Sequence, residues 1–340
     1  MTGLSPRERL LRALRGEEVD RPPVICPGGM MNAAIVEVMD DTGSALPAAH
    51  HRADLMGRLA LDVEAETGFE NFGLPFCMSI EAEALGSEID YGSRECEPKI
   101  LREAFPSVGK TALPPAGAIA RNVRAGAVLE SLSALSRSRP DIPAIGCITG
   151  PVSAAASLVE PVSFLKELRR DREGAHRFIS QVTEELVRWA ALMAENGASV
   201  ITIADPTATG EILGPALFEE YTLHYVNVLA QAIHDLGLPV IVHICGDLRI
   251  VKRYLPRLRG DALSVDAMVN LAGLKEEYSD LVTMGNLSTY LLHSGSNATI
   301  RSGAEALLRR GIDIIAPACG LSTATPLEHL RVFTETIRKR

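Results

Sequence analysis

Three residues in the second half of the chain have the types and spacing of a metal-binding set. They are His243 and Cys245, arranged H-x-C, and Cys319, which is followed by Gly320. One imidazole and two thiols are soft donors suited to tetrahedral zinc, and three protein donors leave a fourth corner open, as catalytic zinc sites do. Two thiolates and a neutral imidazole leave the ion little net charge, so it polarises water less than an all-imidazole zinc would. It still lowers the pKa of a bound thiol, which when free, at about 8.5, is only a few per cent ionised at neutral pH. The chemistry best matched is alkyl transfer to or from a thiol. Taken singly, a Cys on a buried strand is more often a small hydrophobe and a His there a hydrogen-bonded core residue. The weight rests on the pair together with the distant Cys.

Each of these residues, and several other polar ones, closes an apolar β-branched run. The runs are Pro143–Thr149, Ser199–Ala204, Pro239–Cys245, Ala262–Ala267, Val282–Leu287 and Ile312–Ala318. Asp205 ends the second; Asp266 and Asn286 mark the ends of two others. A strand repeats every two residues, so Ile241, His243 and Cys245 share one face while Val240, Val242 and Ile244 face the other way. Asp205 is a candidate catalytic base, an occasional fourth ligand or an orienter of His243 through the free ring nitrogen; the plainer role is an N-cap in Asp205-Pro206-Thr207.

Between the runs lie helical segments at about Val162–Asn196 (two helices), Pro215–Leu236, Leu248–Leu258, Leu271–Tyr278, Ala304–Arg310 and Pro326–Arg338. Strand–helix alternation of this kind implies parallel strands joined by crossover helices. Six such units after residue 140, plus Pro23–Pro27 and one strand within 60–80, supply the eight strands of a (β/α)8 TIM barrel with an elaborated N-terminal third. No linker divides the chain, so the expectation is one domain over 1–340. A doubly wound open sheet is the alternative, but no G-x-G-x-x-G follows any run. In a barrel, chemistry gathers at the C-terminal ends of the strands, where the named polar residues fall.

The earlier third reads less clearly: helical stretches near Ala33–Val38 and Ala53–Leu61, and a β-like, Gly-interrupted region from Glu70 to Tyr91. Ser5, Pro6 and Glu8 open the first helix as cap, N1 and N3, and Thr325, Pro326 and Glu328 do the same for the last. The 340 residues carry 34 Lys plus Arg against 43 Asp plus Glu, a net charge of −9, with 4% aromatics. That balance argues against nucleic-acid or anionic-membrane partners. Nothing at the N-terminus reads as a signal peptide, and the six scattered Cys read as reduced thiols or ligands, so a cytoplasmic location is expected.

The stretches PRERLLRALRGEEVDRPPV (Pro6–Val24), ENFGLPFCMSIEAEALG (Glu70–Gly86), TIADPTATGEIL (Thr202–Leu213), VHICG (Val242–Gly246), GNLS (Gly285–Ser288) and PACGLSTATPLE (Pro317–Glu328) resemble the uroporphyrinogen decarboxylase-like superfamily. The H-x-C with a distant C-G resembles its branch of zinc-dependent methylcobamide:coenzyme M methyltransferases (the MtaA/CmuA family). The resemblance implies a (β/α)8 barrel, zinc on His243, Cys245 and Cys319, and a thiol such as coenzyme M bound as its thiolate. That thiolate would attack the methyl group of a methyl-corrinoid carried by a separate corrinoid protein docked over the barrel mouth. Glu81 is then a second candidate catalytic residue, and Glu83, Asp266 and Asn286 candidate corrinoid-side contacts. Cys26 and Cys77 read as packing residues. The decarboxylase branch needs Arg residues after the R-P-P for porphyrinogen carboxylates; here Val24–Asn32, VICPGGMMN, has none.

Overall fold

The computed structural model describes residues 3–339. Seven parallel strands curl side by side in chain order: β1 (Phe72–Leu74), β2 (Ala144–Thr149), β3 (Val200–Ala204), β4 (Val240–Ile244), β5 (Ala262–Val265), β6 (Thr283–Leu287) and β7 (Ile314–Pro317). The six runs expected after residue 140 are all strands of this sheet. Segment Pro23–Cys26 spans the gap between β7 and β1. Ile25 N–H donates to the Ile315 carbonyl (2.9 Å), Ile315 N–H to that of Pro23 (2.9 Å), and Glu70 N–H to that of Val24 (2.9 Å). The expected strand Pro23–Pro27 is therefore only a bridge at Val24. Pro22 and Pro23 have no N–H to offer a ladder, and on the β1 side the Asn71 side-chain amide takes over, accepting from Cys26 N–H and donating to Cys26 O.

The period-two pattern sorts the strand residues as expected. Ile145, Val200, Ile241, Ala262, Met284, Ile314 and Ala316 pack together inside the barrel, while Val240, Val242 and Ile244 join the layer beneath the helices. Leu10, Ala13 and Leu14 belong to the inner cluster too. They come from helix Pro6–Leu14, which begins with the expected capping box of Ser5 and Glu8, and they plug the N-terminal end of the barrel. Glu70 latches this end: it accepts from Arg9 (2.8 Å), from both Nη atoms of Arg21 (2.6 and 2.8 Å) and from Val24 N–H (3.1 Å). Gly28 and Gly73 let the entering segment cross β1 backbone to backbone. A Cβ on Gly73 would lie 2.6 Å from Gly28 N, and one on Gly28 2.7 Å from Leu74 N.

Elsewhere tertiary context moved several boundaries. The helix near residue 33 is Val36–Thr42, the next runs on to Thr67, and Ala304–Arg310 is the end of Asn297–Arg309. Arg249–Arg257 is a 3-10 rather than an α-helix, and Phe218–Leu223 is a π-helical turn inside the expected Pro215–Leu236. Glu70–Tyr91 is not continuous β: helix Ile80–Ala84 separates β1 from a small antiparallel ribbon, Glu88–Asp90 with Lys99–Arg102. The last helix begins at Leu327, and its N-terminal Leu327 N–H is accepted by Glu37, not by the expected Thr325. Among the described residues no helix is long and apolar enough to cross a membrane.

Candidate metal centre

His243 is the penultimate residue of β4 and Cys245 follows the strand's end; Cys319 lies just past β7. All three reach the C-terminal mouth of the barrel. His243 Nε2 is 2.9 Å from Cys245 Sγ, and Cys245 Sγ is 2.8 Å from Cys319 Sγ. The three donor atoms lie within 4.8 Å of one another, with His243 buried and both cysteines partly exposed. Tetrahedral zinc with Zn–S of about 2.3 Å and Zn–N of about 2.0 Å separates its donors by roughly 3.5 Å, so this set needs to spread by less than an ångström to hold the ion. The donor chemistry fits as well. The hydrogen bond from Cys245, with His243 beside it, draws the Cys319 thiol down, while that same bond and burial push the Cys245 thiol up.

The residue that orients His243 is Ser264. It stands directly across from His243 in the β4–β5 register, and its Oγ is 2.9 Å from His243 Nδ1. With Nε2 turned to the thiols, Nδ1–H donates to the hydroxyl, a second-shell bond of the sort that sets a ligand's tautomer. Asp205 does not play this part. Its carboxylate, fully buried, accepts from Val152 N–H (3.1 Å), Ser153 N–H (2.8 Å) and Ser153 Oγ (2.6 Å). It caps helix Pro151–Ala156 across the strand rather than its own turn. Burial pushes its carboxyl up to about 6 against the pull of those donors. Gly150 makes room for it, since a Cβ there would sit 2.4 Å from Asp205 Cβ.

Glu81 is also turned away from the cluster. It lies on helix Ile80–Ala84, buried, and accepts from Thr149 N–H (3.0 Å) and Thr149 Oγ1 (2.9 Å); burial raises its pKa. The two carboxylates thus grip opposite ends of the loop after β2. Glu83, half-exposed on the same helix, pairs with the buried Arg124 (3.1 Å) and accepts from Tyr91 Oη (2.5 Å). Cys77 is more than packing: Arg124 Nη2 donates to its sulfur at 2.7 Å. Asn286 spends its amide on the carbonyls of Asp266 (2.9 Å) and Val269 (3.0 Å), fixing the loop after β5. Asp266 is close enough to Cys245 for its charge to raise that thiol's pKa.

Residues outside the sequence reading complete the mouth. Met30 Sδ is 4.0 Å from Cys245 Sγ, and Asn32 Nδ2 donates to Glu97 Oε1 at 3.2 Å. Burial pushes the Glu97 carboxyl up to about 7; the Asn32 bond opposes this and the charge on Cys319 adds to it. A wide surface groove lined by Glu219, His224, Asn227 and Arg257 lies on the outer helices and holds none of the residues singled out from the sequence.

Residues 5–340 match the family model described as uroporphyrinogen decarboxylase (URO-D). The chain is 32% identical over 337 residues to the methylcobamide:CoM methyltransferase MtaA of Methanosarcina barkeri, covering 98% of this chain and 97% of that protein. It is 29% identical to the methylcobamide:CoM methyltransferase MtbA of Methanosarcina acetivorans, covering 98% of each. A solved methyltransferase from Methanosarcina mazei has the same fold, with a TM-score of 0.91 at 30% identity over 99% of both chains.

Proposed function

The chain belongs to the uroporphyrinogen decarboxylase family and is a methyltransferase; we propose that it transfers a methyl group from a corrinoid to a small thiol, with zinc held by His243, Cys245 and Cys319. The observation that carries this reading is the meeting of one imidazole nitrogen and two sulfurs at the barrel mouth, across 74 residues of sequence. Zinc, when bound, supplies the positive charge that keeps an incoming thiol deprotonated at neutral pH. In the transfer a sulfur–carbon bond forms as the cobalt–carbon bond breaks. The electron pair of that bond stays on cobalt, and the thiol's proton leaves to solvent.

The chain's own residues have distinct tasks in this scheme. Ser264 holds the His243 ring with Nε2 facing the sulfurs. Asp205 and Glu81 keep the loop after β2 rigid beside the mouth, and Asn286 with Asp266 shapes the opposite wall, on the side where the corrinoid of a separate carrier protein would rest. The cytoplasmic location expected from the sequence is part of this proposal. The decarboxylase reading is not favoured: Val24–Asn32 has no Arg, and Arg9 and Arg21 are already bonded to Glu70. A substrate bearing a carboxylate on every side arm needs cationic partners.

The test is metal content together with turnover. Purified protein is expected to carry about one zinc per chain, and His243→Ala, Cys245→Ser and Cys319→Ser each to lose most of it along with thiol-dependent demethylation of methylcobalamin. Full activity in a metal-free preparation would refute the reading.

A further inference from the structure

The turn 28–32 carries no ionisable side chain, yet it leans on the loops of both cysteines. Gly28 N–H donates to the Met31 carbonyl (2.9 Å) and Met31 N–H to that of Gly28 (3.0 Å), closing a tight hairpin on Gly29 and Met30. Gly29 has φ +61, the positive value that the first central position of such a turn takes and that glycine supplies without strain. Gly29 N–H donates to the Pro75 carbonyl (2.7 Å), Asn32 Nδ2 to the Gly29 carbonyl (2.9 Å) and Cys26 Sγ to the Met31 carbonyl (3.0 Å). A Cβ on Gly29 would lie 2.4 Å from Cys147 Sγ, so the turn rests directly on β2.

From this fixed root Met30 reaches both sulfurs' surroundings. Its carbonyl covers the residue after Cys319: a Cβ on Gly320 would meet it at 2.8 Å, so that glycine is the clearance the turn needs. Its Sδ lies 4.0 Å from Cys245 Sγ, in van der Waals contact. His243 rises from inside the barrel and is buried, whereas both cysteines and Met30 are half-buried at the mouth. The fourth corner of the set lies on that outer side. Two sulfurs on one tetrahedral zinc stand roughly 3.8 Å apart. An incoming thiol sulfur is thus a neighbour of Cys245 Sγ at about the distance Met30 Sδ keeps.

A thioether carries no charge and is at most a weak acceptor. It packs on sulfur and carbon rather than reading a polar tail, and it displaces water. Its rotatable bonds let it follow a substrate whose sulfur changes from thiolate to thioether. We propose that Met30 seats the methyl acceptor: its side chain walls the fourth corner, packs on the sulfur and first carbon of the thiol, and keeps water from that place. The proposal rests on the methyl-transfer reading above and deepens it by naming what holds the acceptor.

The test uses protein loaded with cobalt(II) in place of zinc, whose visible absorption changes when a thiolate joins the metal. 2-Mercaptoethanol and 2-mercaptoethanesulfonate are titrated into wild type, Met30→Leu and Met30→Ala with no methyl donor present. Met30→Ala is expected to bind both thiols about tenfold more weakly, through loss of the packed tip, with metal content and metal affinity unchanged. Met30→Leu, close in volume, is expected to recover most of that loss. Thiol affinity unmoved in Met30→Ala overturns the proposal. A loss for one thiol alone does so too, since it would put the side chain at the tail. Metal affinity that falls in both variants would make the thioether a ligand of the metal and likewise overturn it. If thiol binding depends on Met30 as expected but no methyl moves from methylcobalamin to either thiol on the zinc-loaded protein, the methyl-transfer reading fails and the seat stands.

Discussion

Ser264 is a single hydroxyl on a strand of alternating small residues, yet it holds His243 Nδ1 at 2.9 Å and, on the proposed reading, sets which nitrogen would face the metal. Removing it leaves a buried ring N–H without a partner and the imidazole free to rotate. Ser264→Ala is expected to weaken zinc about 10–100-fold, read by competition with a chromophoric chelator, while the fold remains intact. Unchanged zinc affinity would mean that packing alone holds the ring. The proposed ligand set was legible because H-x-C at a strand end forces both side chains to one face. Ser264 was legible in principle by the same rule, as the inward residue opposite His243, but serine in an apolar run carries no chemistry of its own and drew no notice. Glu97 had no such signal: the segment around it has no periodicity, and its side chain is held by Asn32, 65 residues earlier.

Among the elements, the loop after β2 shows how carboxylates at the mouth can serve architecture. Glu81 holds Thr149 and Asp205 holds Val152 and Ser153, so the loop is pinned at both ends. A carboxyl moved from 3.8 up to about 6 by burial binds its proton more tightly in the folded state than in the unfolded one. Its contribution is complete below the unfolded value and is lost as pH rises through the folded one. The stability difference between wild type and Asp205→Asn should therefore fall by about 3 kcal/mol between roughly pH 4 and pH 6. Urea unfolding across that range measures it, and a pH-independent difference would contradict the shift. Sequence pattern placed every strand after residue 140, since continuous apolar runs bounded by turns admit few alternatives. It misread Glu70–Tyr91 as β-like throughout, where Glu81 and Glu83 belong to a helix of five residues. So short a helix has too little periodicity to declare itself.

On the scale of the whole molecule, the barrel closes without a full eighth strand. Backbone bonds at Val24, the Asn71 amide and the Glu70 latch substitute for the missing ladder. Prolines at the start of Pro23–Pro27 hinted at this weakness, but the side chains that compensate come from residues 45 or more positions away, beyond the reach of local pattern. Closure from below has a further consequence. With Leu10 and Leu14 corking the lower end, both reactants share one doorway, and a macrocycle parked in it would bar the smaller molecule. Turnover should accordingly be compulsorily ordered, thiol before corrinoid. A corrinoid lacking a transferable methyl group should then inhibit uncompetitively against thiol, and a change of slope in that double-reciprocal plot would show the doorway to be wider than the cork implies.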